Sequence, residues 1–169
     1  MYFLDESGFD TVSPVPYAWQ KRGERIGLPA DRSRRLSILG CINHDMDGQF
    51  DLIEGSVDRH KIIDFIDRFV QRRTPDDPPC LMILDNASMH RSRDFRDRLL
   101  EWSAQGVVIA YLPPYSPELN HIELLWRKMK YEWLPLSAFE HFASLKQALE
   151  DILHNIGSEY QVSSVWVFT

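Results

Sequence analysis

Three acidic residues stand where they could do chemistry. Asp5 closes the apolar run Tyr2-Phe3-Leu4-Asp5, and Asp85 closes Leu81-Met82-Ile83-Leu84-Asp85. Glu123 sits in a helix opened by the Pro-rich stretch Pro113-Pro114-Tyr115-Ser116-Pro117-Glu118-Leu119-Asn120. If the three meet in space they form an all-oxygen site suited to Mg²⁺ or Mn²⁺, hard cations that prefer carboxylates and water. Two such ions about 4 Å apart serve in-line displacement at phosphorus, one at the attacking oxygen and one at the leaving oxygen. Without a cation the meeting is costly. Two carboxylates about 4 Å apart repel by roughly 4 kcal/mol at an effective dielectric near 20. Three in contact approach the order of 10 kcal/mol, comparable to the stability of a whole domain. Convergence therefore implies a metal.

Taken singly, each residue has an ordinary explanation. Asp5 can begin a turn with Ser7 and Gly8, and Asp85-Asn86-Ala87-Ser88 can be a strand-to-helix loop. Asn120-x-x-Glu123 fits a capping box, and Glu123 with Arg127 is a favourable i, i+4 pair. Only the elements that position the three can decide.

Those elements are legible in outline. Residues 6–33 are rich in Gly, Pro and charge and read as a long loop or irregular hairpin. Arg35–Ile42 and Gln49–Val57 read as strands around the turn signal Asp47-Gly48. Asp58 can cap a helix whose Ile62, Ile63, Ile66, Phe69 and Val70 follow the helical period, and Pro75, Pro78 and Pro79 end it. Cys80–Leu84 is an unbroken apolar run, as in a strand covered on both faces. Ser92 can cap a helix with Phe95, Leu99 and Trp102 on one side, and Val107–Leu112 is the next strand. Asn120 opens a helix with Ile122, Leu125, Trp126, Met129 and Trp133 on its buried stripe. Ser144 with Gln147 marks a last helix, stopped at Gly157. The order β-β-β-α-β-α-β-α-α predicts an α/β fold, a mixed five-stranded sheet with helices on both faces. Ligands in such sheets collect beyond the carboxyl ends of parallel strands, where Asp5 and Asp85 fall.

Composition sets the bounds. A chain of 169 residues, 44% hydrophobic and 26% charged, is long enough for one domain with a real core. No apolar run approaches the roughly 18 residues that cross a bilayer, so no membrane association is expected. Cys41 and Cys80 lack CxxC or His-rich partners, which points away from zinc and disulfides and towards a reduced, cytoplasmic setting. The net charge of −6 opposes nucleic-acid binding, which draws on Lys and Arg. Yet Lys21, Arg22, Arg25, Arg32, Arg34 and Arg35 face only Glu24 and Asp31 between residues 20 and 35. That run is either a solvated loop or a DNA contact, with Lys21, Arg22, Arg25, Arg34 and Arg35 as its candidates.

At its acidic residues the chain resembles the DDE transposases of the mariner superfamily, particularly the bacterial insertion-sequence branch. The matching motifs are Phe3-Leu4-Asp5-Glu6-Ser7-Gly8-Phe9, Tyr17-Ala18-Trp19-x-x-x-Gly23, Leu84-Asp85-Asn86-Ala87-Ser88-Met89-His90, and the long stretch from Leu112 to Trp126. The resemblance implies an RNase H-like fold, two divalent metals, and Asp5, Asp85 and Glu123 as catalytic and metal-holding triad. Glu118 and Glu6 fall outside it. The 37 residues between Asp85 and Glu123 slightly exceed the most familiar spacing, and His121 replaces the commoner proline. Asn86 and His90 belong to the same motif, either as auxiliary residues near substrate or metal or as plain loop and helix-entry residues. Trp19 meets DNA or a partner subunit, or is a buried aromatic.

The resemblance further implies DNA as partner, element ends and target alike, and a homodimer assembled on it. Such transposases carry helix-turn-helix domains before the core. Here the sequence starts on the first catalytic strand, so residues 1–169 are expected to form a single catalytic domain, either as a truncated or split product or with end recognition supplied by another polypeptide. The leading expectation is a transposase catalytic domain that cuts at element ends and transfers strands. Its rivals are a nuclease of the same fold that only hydrolyses, and a catalytically silent remnant that binds a partner, with Val162–Phe168 as a contact surface.

Overall fold

The computed structural model describes residues 1–12, 22, 34–87, 90, 92–114 and 116–162. Its centre is a five-stranded sheet in the order β3-β2-β1-β4-β5. The strands are β1 (Tyr2–Asp10), β2 (Arg35–Asn43), β3 (Gly48–Glu54), β4 (Cys80–Leu84) and β5 (Val107–Tyr111). β1 pairs antiparallel with β2 and parallel with β4, so the first strand is the middle of the sheet. The helices are α1 (Arg59–Gln71), α2 (Arg93–Ala104), α3 (Ile122–Lys128) and α4 (Phe142–His154). The order of elements and the mixed sheet are as the sequence predicts.

Alternation along the strands divides the core in two. Phe3, Phe9, Leu36, Ile38 and Ile42 face α3 and α4, where Trp126, Met129, Leu145 and Leu149 cover them. Leu4, Leu39, Cys41, Met82 and Leu84 face α1 and α2, against Phe65, Ile66, Phe95 and Trp102. Burial of apolar surface on both sides fixes the register, because a slip of one residue would exchange the two faces. Cys41 and Cys80 are free thiols. Among the described residues no helix is long and apolar enough to cross a membrane.

Four local expectations need correction. Asp5 does not end its strand, and residues 6–10 are not loop: β1 pairs with β2 from Tyr2↔Asn43 through Asp10↔Arg35. A nine-residue partner with a continuing inward row of Ser7 and Phe9 overrides the weak strand propensity of Gly8 and Asp10. The β2–β3 turn is closed by the Asn43 side chain, whose Oδ1 accepts from Asp45 and Asp47 N–H groups, and Met46 takes the positive φ of 66°. Gly48 instead opens β3. Asn120 does not cap α3, whose N-cap is His121, with no capping bond from its side chain to the helix N–H groups. Nor does Ser144 start α4, which begins at Phe142, and the Gln147 amide donates to Asp151 instead. By contrast Asp58 and Ser92 cap α1 and α2. Past α3 the chain runs on as a π-helix, Met129–Trp133.

Candidate active site

The sheet brings two of the acids side by side. β1 and β4 pair at Tyr2↔Met82 and Phe3↔Ile83, so two positions further along Asp5 stands level with Asp85. Both belong to the face covered by α3, since Phe3 and Ile83 pack against that helix's cluster. Glu123 lies in the first turn of α3. All three line one cleft of about 430 Å³, together with Asn86, Leu112 and Asn120.

Asp5 is 9% exposed, and the buried Trp126 indole Nε1 donates to its Oδ2 at 3.1 Å. Burial pushes its carboxyl up to about 7, and the charges of Glu6 and Glu123 add to the effect, against the indole bond. Trp126 reaches it over Gly40, the cross-strand partner of Asp5. A Cβ at Gly40 would lie 2.4 Å from the Phe50 ring and 3.2 Å from the Trp126 ring. The missing side chain therefore leaves space that the Phe50 ring occupies, with the edge of the indole packed beside it.

Asp85 sits just beyond β4 with its side chain 51% exposed. Its Oδ1 accepts from Ala87 N at 3.0 Å and stands 2.9 Å from Nδ1 of the buried His90. Among the described residues the Oδ1 of half-buried Asn86 finds no partner, and neither does the buried Oδ1 of Asn120. Glu123 is exposed, and with Asn120 not capping, the capping-box explanation of Glu123 loses its support. Glu6 alternates away from Asp5. Burial raises its carboxyl, with His90 opposing that rise and Asp85 reinforcing it.

Among the described residues no three His, Cys, Asp or Glu side chains are drawn close enough to hold a metal ion. The trio shares a cleft without forming a closed cluster. The donor set fits a hard divalent cation: carboxylates, one of them raised to about 7 by burial and by the charges of its acidic neighbours, beside amide oxygens.

The cleft continues past Glu123. A depression of about 510 Å³ shares Asn120 and Glu123 with it and adds Leu124, Arg127, Lys130 and Tyr131. A third, of about 240 Å³, shares Lys130 and Tyr131 and reaches Gly8 and Asp10. Sequence reading places cationic contacts only at residues 21–35 and misses this track, although Arg127 and Lys130 follow Glu123 at i+4 and i+7, on its own face of the helix. It also treats Trp126 purely as core.

Of the basic run, Lys21 and Arg25 lie outside the described residues, as does Trp19. Arg22 and Arg34 are exposed, and Arg34 is committed to Glu54 at 3.3 Å and to the face of Phe142 at 3.6 Å. Arg35 lays its guanidinium over Gly8, where a Cβ would come within 2.2 Å of it. Of the tail, Val162 packs on the α3–α4 core and residues 163–169 lie outside the described set.

The likenesses to known proteins agree with this geometry. The insertion element IS630 uncharacterized 39 kDa protein of Shigella sonnei is 24% identical over 131 residues, covering 76% of this chain and 37% of its own length. The chain spans half or less of the curated relatives it matches. The crystal structure of the Mos1 mariner paired end complex with Mn superposes with a TM-score of 0.62 at 18% identity, over 92% of this chain and 48% of that one. The catalytic domain of Mos1 mariner transposase gives 0.60 at 18%, over 89% and 67%. The fold is thus the RNase H-like fold of a transposase catalytic domain. The DDE superfamily endonuclease model matches residues 1–146, and the chain belongs to that family.

Proposed function

We propose that residues 1–169 form the catalytic unit of a metal-dependent DNA transposase, which cleaves at element ends and joins the freed strand to target DNA. One observation carries this reading. Asp5, Asp85 and Glu123, from a central strand, a strand end and a helix start, line one cleft in which burial and the charges of Glu6 and Glu123 push the Asp5 carboxyl up to about 7. These three would hold Mg²⁺ or Mn²⁺, and two such ions, when bound, supply Lewis acidity to the attacking and leaving oxygens of a phosphodiester.

The chain's own residues account for the rest. Trp126 orients Asp5 through its indole N–H. Arg127 and Lys130 meet the phosphates of the strand flanking the scissile bond, and exposed Tyr131 offers a face on which a base can stack. This local cationic track reconciles DNA binding with a net charge of −6. Two copies assembled on DNA would act on the two ends of an element.

Purified protein incubated with pre-cleaved ends and Mn²⁺ tests the reading: joined products are expected from wild type and none from Asp85→Asn. Joining that survives Asp85→Asn overturns it, and hydrolysis without joining assigns the chain to the nucleases. A second reading, a folded remnant without catalysis, draws on the open arrangement of the three acids. Absence of Mn²⁺ binding in calorimetry would favour that reading.

A further inference from the structure

Asp85 presents a problem of positioning. β4 ends at Leu84, so no strand neighbour holds Asp85, and its side chain is half in water. Three contacts bear on its orientation, and two come from one residue. Nδ1 of His90 stands 2.9 Å from Asp85 Oδ1 and 3.2 Å from the Asp85 carbonyl oxygen. The third is the Ala87 N–H, also on Oδ1.

The carbonyl oxygen of Asp85 can only accept, and Oδ1 stands beside it, so Nδ1 carries the proton and donates to the carbonyl. The imidazole is 1% exposed and packs on Phe95 with ring centroids 5.8 Å apart. Its backbone is held at both ends: His90 N donates to the Ala87 carbonyl at 3.1 Å, and Tyr111 Oη donates to the His90 carbonyl at 2.8 Å. Nε2 is buried with no hydrogen-bond partner among the described residues, so a proton there would be an unmet donor. Such a ring is fixed in place, in tautomer and in direction.

We propose that His90 is a positioning residue for Asp85. Locked in the Nδ1–H tautomer by Tyr111, Ala87 and Phe95, it bonds the Asp85 carbonyl oxygen and holds Oδ1 against the ring at 2.9 Å, so that Oδ2, which has no hydrogen bond among the described residues, is left for the cation. The inference rests on the metal-dependent reading above and gives His90 a role that does not require contact with substrate. A carboxylate ligand steered by a buried donor is the arrangement whose loss typically weakens metal affinity 10–100-fold.

Mn²⁺ titration calorimetry on the full chain tests it without relying on activity. Wild type sets the affinity. His90→Phe keeps an apolar ring but loses the donor, and is expected to bind Mn²⁺ about 10–100-fold more weakly. His90→Asn, whose amide N–H can stand in for Nδ1–H, is expected to recover most of that loss. Thermal melts of the metal-free variants separate this from simple unfolding. Wild type that binds Mn²⁺ together with His90→Phe that binds it equally well overturns the inference and leaves the proposed function standing. Wild type with no Mn²⁺ affinity overturns both. Should His90→Phe fail to fold, ¹⁵N NMR of the wild-type imidazole decides: a protonated Nδ1 and bare Nε2 support the assignment, and the opposite tautomer overturns it.

Discussion

Asp5 and Asp85 stand level on neighbouring parallel strands, yet the protein holds them by opposite means. Asp5 lies in the middle of a nine-residue central strand, nearly sealed from water, with an indole N–H from a distant helix on one oxygen. Asp85 lies past the end of a five-residue strand, half exposed, and its partners come from the next few residues of its own loop. The deep acid is placed by the whole sheet and carries an electrostatic penalty for it. The shallow one keeps its hydration and needs a local clamp. One site thus combines a rigid, charge-frustrated wall with a wet, separately braced one.

The broadest way to break this comparison is to remove either charge. Asp5→Asn and Asp85→Asn are each expected to abolish Mn²⁺-dependent joining of pre-cleaved ends on a gel. Activity in either variant would show that the two walls do not serve one reaction. Next, the deep wall should depend on the core. Trp126→Ala empties a large buried volume and is expected to lose about 3–5 kcal/mol in urea unfolding.

The frustration itself should show in the pH dependence of the metal-free protein. A carboxyl held near 7 when folded, against 3.8 ordinarily, keeps its proton in the native state at pH values where the unfolded chain has released it. Stability from this group is therefore full below about pH 4 and falls as pH rises towards 7, by up to about 4 kcal/mol. Asp5→Asn should flatten that decline in urea titrations run at pH 5 and pH 8, whereas Asp85→Asn should leave most of it. A smaller effect is expected at Gly40→Ala, where a methyl forced against Phe50 and Trp126 should cost about 1–3 kcal/mol and loosen the indole over Asp5. The smallest belongs to the shallow wall: Tyr111→Phe deletes one bond to the His90 carbonyl, worth about 1 kcal/mol in melting experiments.

What the sequence revealed follows the range of each interaction. Asp58 and Ser92 are readable as caps because their side chains bond to N–H groups two or three residues on. The paired helices and the central apolar strand are readable from period alone. Asp5, Asp85 and Glu123 can be nominated from residue type and motif context, and the cleft gathers them. The length of β1 is hidden, because pairing with β2 decides it rather than its own Gly8 and Asp10. The Trp126–Asp5 bond is hidden too, since it joins residues 121 positions apart. So is the space at Gly40, a glycine whose purpose is set by a ring from another element. Asn120 misleads in the other direction: its type says cap, while packing against the cleft buries it at 3% exposure.

The placement of β1 at the middle of the sheet reaches beyond the finished molecule. Its parallel neighbour is met through Tyr2↔Met82, eighty residues downstream. At ribosomal rates of roughly 5–20 residues per second, β1 and the β2–β3 hairpin spend several seconds with one sticky edge bare. Chaperone capture of nascent chains cut short before residue 80 should exceed capture of those extended past Tyr111.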